Sequence, residues 1–251
     1  MGLKIGSKNK LKKYFTPKTI EELEAKIAET KQNGESWDCD MREMQITELR
    51  SYLFDGCAGL TSVIMPNGVT NIEWRAFSRC SGLTSIEIPD GVTKIGSGAF
   101  WACSSLTRVE IPSSVTEIEV CAFWYCTSLE NIEIPDGVTE IGNEAFKGCE
   151  SLTNITLPSS VTTIGDGAFF GCMGLTSVEI PDGVSKIGEG AFYGCTGLTS
   201  IEIPDGVTEI GNGALGDCDA LETVYVPANK TDYYKQLLPE ELHDKIKERN
   251  S

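Results

Sequence analysis

The sequence contains one histidine, His243, in 251 residues. That scarcity removes histidine-rich metal sites and the common nucleophile–base pairs, in which an imidazole carries the proton. Positive charge is also scarce: 21 lysines and arginines stand against 37 carboxylates, a net of −16. Such a body repels phosphate, so nucleic acid is set aside as a partner. No apolar run is long enough to cross a bilayer. Phosphate-binding loops and clustered metal-ligand spacings are missing too, and the chain reads as non-enzymatic, with no cofactor and no metal. An isolated histidine such as His243 is most often a surface residue.

Signals for export and lipidation are equally thin. The first 18 residues hold six lysines (Lys4, Lys8, Lys10, Lys12, Lys13 and Lys18) and no acid, but the apolar stretch of a secretory leader does not follow them. Gly2 invites a check for myristoylation, yet Gly6 stands where Ser or Thr is needed. As written, the chain is expected in the cytoplasm, or at the cell surface or secreted if a leader has been removed.

What the sequence has in abundance is repetition. Eight leucines, from Leu60 through Leu83 and Leu106 to Leu221, are spaced 23 residues apart without insertion or deletion. Eight of the ten prolines (Pro66 to Pro227) and eight of the ten cysteines (Cys57 to Cys218) keep the same step. The unit is L-x-x-[IV]-x-[IVLM]-P-x-x-V-[TS]-x-I-x-x-x-A-F-x-x-C-x-x. Within one copy, Ile86-Glu87-Ile88 alternates inward and outward as a short strand. The PDG triplets at Pro89, Pro135, Pro181 and Pro204 predict a turn with proline at its second position. Val92 and Ile95 return inward, and Ala99-Phe100 makes a small–large pair before Cys103. One unit cannot bury its own apolar face, so the copies must stack as a coil of short parallel strands.

This unit resembles the BspA-type leucine-rich repeat of bacterial surface proteins, over roughly Ile46 to Pro227. The resemblance implies a repeat solenoid, a leucine-rich-repeat right-handed coil of short parallel β-strands with helical N- and C-terminal caps. It implies binding, often in adhesion, and no enzyme activity. Three parts are expected: a basic arm and capping helix over 1–45, the solenoid over 46–228 and a helical cap over 229–251. Ile46, Leu49, Leu53, Phe54 and Cys57 match only the second half of a repeat, so the first coil is expected to lack its strand half. Thr19 and Glu22 form a capping box and predict a helix over 19–32 ended by Asn33-Gly34. Asp232 to Leu238 and Glu240 to Arg249 predict two more helical pieces, split at Pro239.

Several columns carry candidate chemistry. The repeating thiols read as buried, reduced fillers, because side chains that repeat in a stack point the same way and do not face each other. Cys39 and Cys121 fall outside that column and are the two to consider for reactivity. Glu87, Glu110, Glu133, Glu179 and Glu202 share one outward strand position. Carboxylates about 5 Å apart in water repel by only about 0.8 kcal/mol, so the row reads either as a solubilising surface or as a dock for a basic partner. Irregular positions are more informative. Trp74, Arg75 and Arg79, then Trp101, then Trp124 and Tyr125 place large groups around the Ala-Phe pair of the early repeats. Aromatics and arginine dominate interface hot spots, although stacking between coils would also account for them. Arg108 breaks the small-polar pattern of the strand face. Residues 60–128, which carry Trp74 to Tyr125, are therefore the candidate site, with a monomer presenting an acidic face and an aromatic edge to a protein partner. Residues 1–36 carry eight lysines and five acids, a basic arm against a repeat region of −19 over 37–228.

Overall fold

The 23-residue step lays each strand beside its own copy. In the computed structural model, which describes residues 14–249, Ser85–Glu87 runs parallel to Arg108–Glu110, with Ile86 opposite Val109 and Glu87 opposite Glu110. A second, two-residue strand in each coil does the same, Lys94–Ile95 lying between Asn71–Ile72 and Glu117–Ile118. These second strands form one unbroken ladder of eight, from Glu48–Leu49 to Glu209–Ile210. First strands form three separate ladders. The pair Trp37–Asp40 and Leu60–Ile64 comes first. Four strands from Ser85–Glu87 to Asn154–Thr156 follow, and then four from Ser177–Glu179 to Ile246–Glu248. The molecule is a β-solenoid, and we number its coils in 23-residue steps from Trp37, so that coil 2 starts at Leu60 and coil 4 at Leu106.

Identical side chains stack because identical backbones do. Phe54, Phe77 and their copies to Phe192 are fully buried, with ring centroids 5.0–5.5 Å apart and planes within 12° of parallel. Trp37 closes this column at one end, 6.4 Å from Phe54, and Leu215 replaces phenylalanine at the other. The eight column thiols are buried and unbridged. From Cys80 onward each donates its S–H to a phenylalanine carbonyl of the preceding coil, as Cys103 does to Phe77 at 3.1 Å and Cys126 to Phe100 at 3.1 Å. The thiol therefore both fills space and satisfies a buried acceptor. On the outside, Thr93 and Thr116 donate their hydroxyls to the carbonyls of Thr70 and Thr93 at 3.4 Å.

Local detail departs from expectation in three places. First, the turn begins at proline: Val92 N–H donates to the Pro89 carbonyl at 3.0 Å, which puts Asp90 and Gly91 in the central positions. Proline there ends the strand, where its missing N–H costs no ladder bond, and supplies the closing acceptor. Second, the strand half of coil 1 is present. Trp37–Asp40 pairs with Leu60–Ile64, but the register slips by one residue between Trp37 and Asp38, so Cys39 lies opposite Val63. Third, the last segment is a 3-10 helix over Glu240–Lys245 followed by a strand, Ile246–Glu248, that pairs with Val224–Val226. A strand covers the open edge of the last coil, which a second helix would leave unpaired.

The caps otherwise follow their sequence signals. Helix α1 (Ile20–Asn33) is capped by the Thr19 hydroxyl, which accepts from Glu22 N–H at 3.3 Å, and ends at Gly34 with φ 67°. It buries Leu23 and Ile27, and Glu24 pairs with Arg50 of coil 1. Helix α2 (Thr231–Leu237) buries Tyr234, whose hydroxyl donates to the Pro204 carbonyl at 2.8 Å. Lys4 to Lys13 of the basic arm lie outside the described residues.

Candidate functional site

The chain reverses tightly around each Ala-Phe pair, and this bend requires a left-handed residue twice per coil. One column contains Arg75 (φ 54°), Gly98 and Cys121 (φ 58°), the other Arg79 (φ 58°), Ala102 and Tyr125 (φ 57°). Glycine fits such a position at no steric cost, whereas other residues are strained there. Over coils 1–4, six of the eight left-handed positions carry a side chain; over coils 5–8, only Glu144 and Asp217 do. Large groups are thus concentrated in the early coils at the backbone positions least suited to them.

Those groups lean onto the next coil. A Cβ at Gly98 would lie 3.2 Å from Arg75 Cγ, and one at Gly148 would lie 2.6 Å from the Tyr125 ring. Each glycine makes a notch for the side chain before it. An outer ladder results, beside the buried phenylalanine column. The Arg75 guanidinium sits over the Trp101 ring at 3.9 Å, and Trp101 stacks on Trp124 at 5.3 Å with planes 12° apart. The Lys147 ammonium lies 5.3 Å from Trp124 and 5.0 Å from Phe170. Phe170 stacks on Tyr193 at 4.9 Å, and the Tyr193 hydroxyl donates to Asp217. Trp101 and Trp124 therefore do stack between coils, half-buried. Trp124 Nε1 has no hydrogen-bond partner. More open rings flank the ladder: Trp74 is 49% exposed beside Tyr52, and Tyr125 is 45% exposed against Trp124. Arg79 reaches back to Asp55 at 2.6 Å. Burial would raise the Asp55 carboxyl, but the Arg79 hydrogen bonds prevail and hold it below its usual value.

The strand face is a separate surface. Glu87, Glu110 and Glu133 are exposed, and Arg108 pairs with Glu110 at 2.6 Å. An open groove of about 1080 Å³ runs across coils 4–6, lined by Arg108, Glu110, Glu133 and Asn154 among others. No ring contact, ion pair or hydrogen bond joins this group to Trp74, Arg75, Arg79, Trp101, Trp124 or Tyr125. The candidate residues thus fall on two separate surfaces rather than one. The left-handed columns are what sequence reasoning missed; the signal was glycine recurring at two fixed slots in the later copies.

Neither cysteine outside the column is activated. Burial, and then the neighbouring Asp40, push Cys39 up to about 12, and it is fully enclosed. Cys121 is pushed up to about 11 by burial and by Glu144, whose carboxylate lies 3.5 Å away. A reactive thiol needs the opposite environment. His243 is half-buried, with Nε2 3.1 Å from the Leu238 carbonyl. Among the described residues, no group of three or more His, Cys, Asp or Glu could hold a metal ion, and no helix is long and apolar enough to cross a membrane.

Comparison with known proteins agrees with this architecture. A family model described as BspA type leucine rich repeat region, in six copies, matches residues 40–153 and 116–238. The leucine rich repeat protein of T. pallidum is 33% identical, with TM-score 0.59 over 68% of this chain and 78% of that one. A leucine rich cell surface protein from Faecalibacterium prausnitzii is 30% identical, with TM-score 0.52 over 78% of this chain. The match spans 61% of that protein's length, less than two thirds. The pneumococcal vaccine antigen PcpA, at 18% identity and TM-score 0.51 over 86% of this chain and 67% of its own, is similar in fold. No curated protein matches the chain.

Proposed function

Because the chain belongs to the BspA-type leucine-rich repeat family, we propose that it is a non-enzymatic module that binds a protein partner, with the aromatic edge of coils 2–4 as the primary contact. One observation carries this reading: strained, non-glycine residues hold six of the eight left-handed positions of coils 1–4, where glycine holds six of the eight in coils 5–8. Local strain kept at one place in a repeating scaffold points to a use for the side chains there. Arg75, Arg79 and Tyr125 occupy these columns, and Trp74, Trp101 and Trp124 beside them complete the contact. Arg108 with Glu87, Glu110 and Glu133 forms an acidic second contact suited to a basic surface. In this reading the protein acts as a monomer. Residues 1–45 are arm and cap, 46–228 the binding body, which coil 1 extends back to Trp37, and 229–251 the closing cap.

The test is affinity capture with the intact chain, repeated with residues 60–128 replaced by consensus repeats and, separately, with residues 152–220 so replaced. The partner should be lost in the first exchange and retained in the second. Equal retention in both would sink the proposal.

A second reading, display at a cell surface as an adhesion module for host protein or glycan, is favoured by the 30% identity to a leucine rich cell surface protein. Fractionation of the source cells decides it. Detection of the intact Met1 chain in the cytosol alone would exclude surface display.

A further inference from the structure

Coils 1–8 and the strand that follows them, residues 37–228, contain eight lysines and arginines among 27 carboxylates. Seven of the eight pair with a carboxylate: Arg42, Arg50, Arg79, Lys94, Arg108, Lys147 and Lys186. Arg75 does not. Its guanidinium lies over the Trp101 ring at 3.9 Å and 5.7 Å from the Trp74 ring, and among the described residues no acceptor takes a hydrogen bond from the guanidinium. In a body this acidic, an arginine without a carboxylate has been kept from one by its position. The backbone supports the same conclusion. Arg75 holds φ 54° at a position where Gly98, Gly167, Gly190 and Gly213 serve other coils, and the notch at Gly98 receives its side chain.

We propose that Arg75 is the receptor for a single carboxylate on the partner, an aspartate or glutamate side chain flanked by an apolar residue. This deepens the protein-binding reading above and rests on it. A guanidinium stacked on an aromatic ring keeps its fork of N–H donors free, and a carboxylate matches that fork with two parallel hydrogen bonds. Stacking fixes the fork before the partner arrives, so less side-chain freedom is lost on contact. The exposed ring of Trp74 receives the apolar neighbour. One charge suits the surroundings and many do not: a sulfated or phosphorylated polymer would bring its whole charge against a solenoid of −19. The source is therefore a carboxylate set in an otherwise weakly charged protein surface.

Phenylacetate joins a carboxylate to an aromatic body and serves as the probe, with neutral phenylacetamide as its comparison. Both are titrated into the full chain at low salt, followed by NMR at the Arg75 Nε–H and the Trp101 indole N–H. Phenylacetate should move both signals to saturation, and phenylacetamide should bind at least tenfold more weakly. Arg75→Gly removes the side chain and relieves the left-handed backbone, so it should keep the thermal midpoint while abolishing the response. Arg75→Lys keeps the charge without the fork and should weaken binding severalfold. Equal binding of the two probes, or an undiminished Trp101 response in Arg75→Gly, would overturn the proposal. So would a fall in thermal midpoint for Arg75→Gly as large as that for Trp101→Ala, because it would make the stack structural. Tighter binding of glucuronate than of phenylacetate would replace the protein carboxylate with an acidic sugar. If Arg75 fails these tests while exchange of residues 60–128 still abolishes capture, only this contact is wrong; if the exchange also has no effect, the protein-binding reading falls with it.

Discussion

Coils 2–4 and coils 6–8 share an interior and differ along one edge. Both bury the same leucine, alanine and cysteine, and the same phenylalanine except in coil 8, where Leu215 replaces it. In the left-handed columns the later coils use five glycines and Asp217, whereas the earlier ones hold Arg75, Arg79, Ala102, Cys121 and Tyr125 with a single glycine. Substitution inside such a stack disturbs the neighbours above and below, so the interior is held constant. At the edge a coil is free to vary at a cost of roughly 1 kcal/mol for each strained residue. The two halves therefore diverge where variation disturbs fewest neighbours.

The largest expected effect tests what the two regions share. Nine of the ten thiols are buried, and burial raises each of them, Cys57 to about 11 and Cys172 to about 12. A thiol raised in the folded state contributes stability that is complete below its unfolded value, about 8.5, and is lost as pH rises toward the folded value. Each buried thiol should then cost about 1.4 kcal/mol per pH unit in that window. Urea midpoints should fall steeply between pH 8.5 and 10 (roughly one unit above the free thiol value); an unchanged midpoint would mean a hydrated column. Next, Phe100→Ala and Phe169→Ala should each cost about 3–5 kcal/mol by chemical denaturation, and nearly the same amount. A gap above about 1 kcal/mol would mean that the two interiors are not equivalent.

Smaller effects test the difference. Trp101→Ala or Trp124→Ala should weaken partner binding at least tenfold, about 1.4 kcal/mol, as hot-spot aromatics do. Phe170→Ala, two coils beyond Trp124 in the same outer column, should leave binding unchanged. If all three weaken it alike, the contact runs along the whole solenoid. Smallest and most direct is a pair of opposite changes in one left-handed column. Ala102→Gly should stabilise by up to about 1 kcal/mol and Gly171→Ala should destabilise by a similar amount. A Cβ at Gly171 would meet nothing closer than 4.0 Å, so its cost is backbone strain alone. The same sign for both would remove strain as the distinction between the halves.

The repeating interior was legible from residue spacing because stacking demands the same residue at the same step. Features that depend on a slip or an edge were not. The strand half of coil 1 was hidden by a one-residue shift at Trp37/Asp38, which breaks the 23-residue register and made Cys39 look like an outlier. Proline takes the first turn position against its general preference for the second, because here strand termination decides. Ile246–Glu248 is too short to show strand periodicity, and its pairing is set by the open edge of Val224–Val226. Trp74, Arg75, Arg79, Trp101, Trp124 and Tyr125 were visible as irregularities. The backbone strain at Arg75, Arg79 and Tyr125, and the pairing of Arg108 with Glu110 on another face, depend on three-dimensional placement.

The two-way bonding between coils has a mechanical consequence. Each of coils 2–7 gives its cysteine S–H to the coil before it and its phenylalanine N–H to the coil after it, as Cys103 does to Phe77 and Phe100 to Ala122 at 2.8 Å. An end coil lacks one of these neighbours, so tension applied along the chain should peel the solenoid from its ends. Each released coil frees 23 residues, roughly 76–83 Å of extended chain, in place of about 4.8 Å of stacked height. Pulled from its ends, the protein should lengthen in regular steps of about 70–80 Å, a spring whose period is written in its repeat.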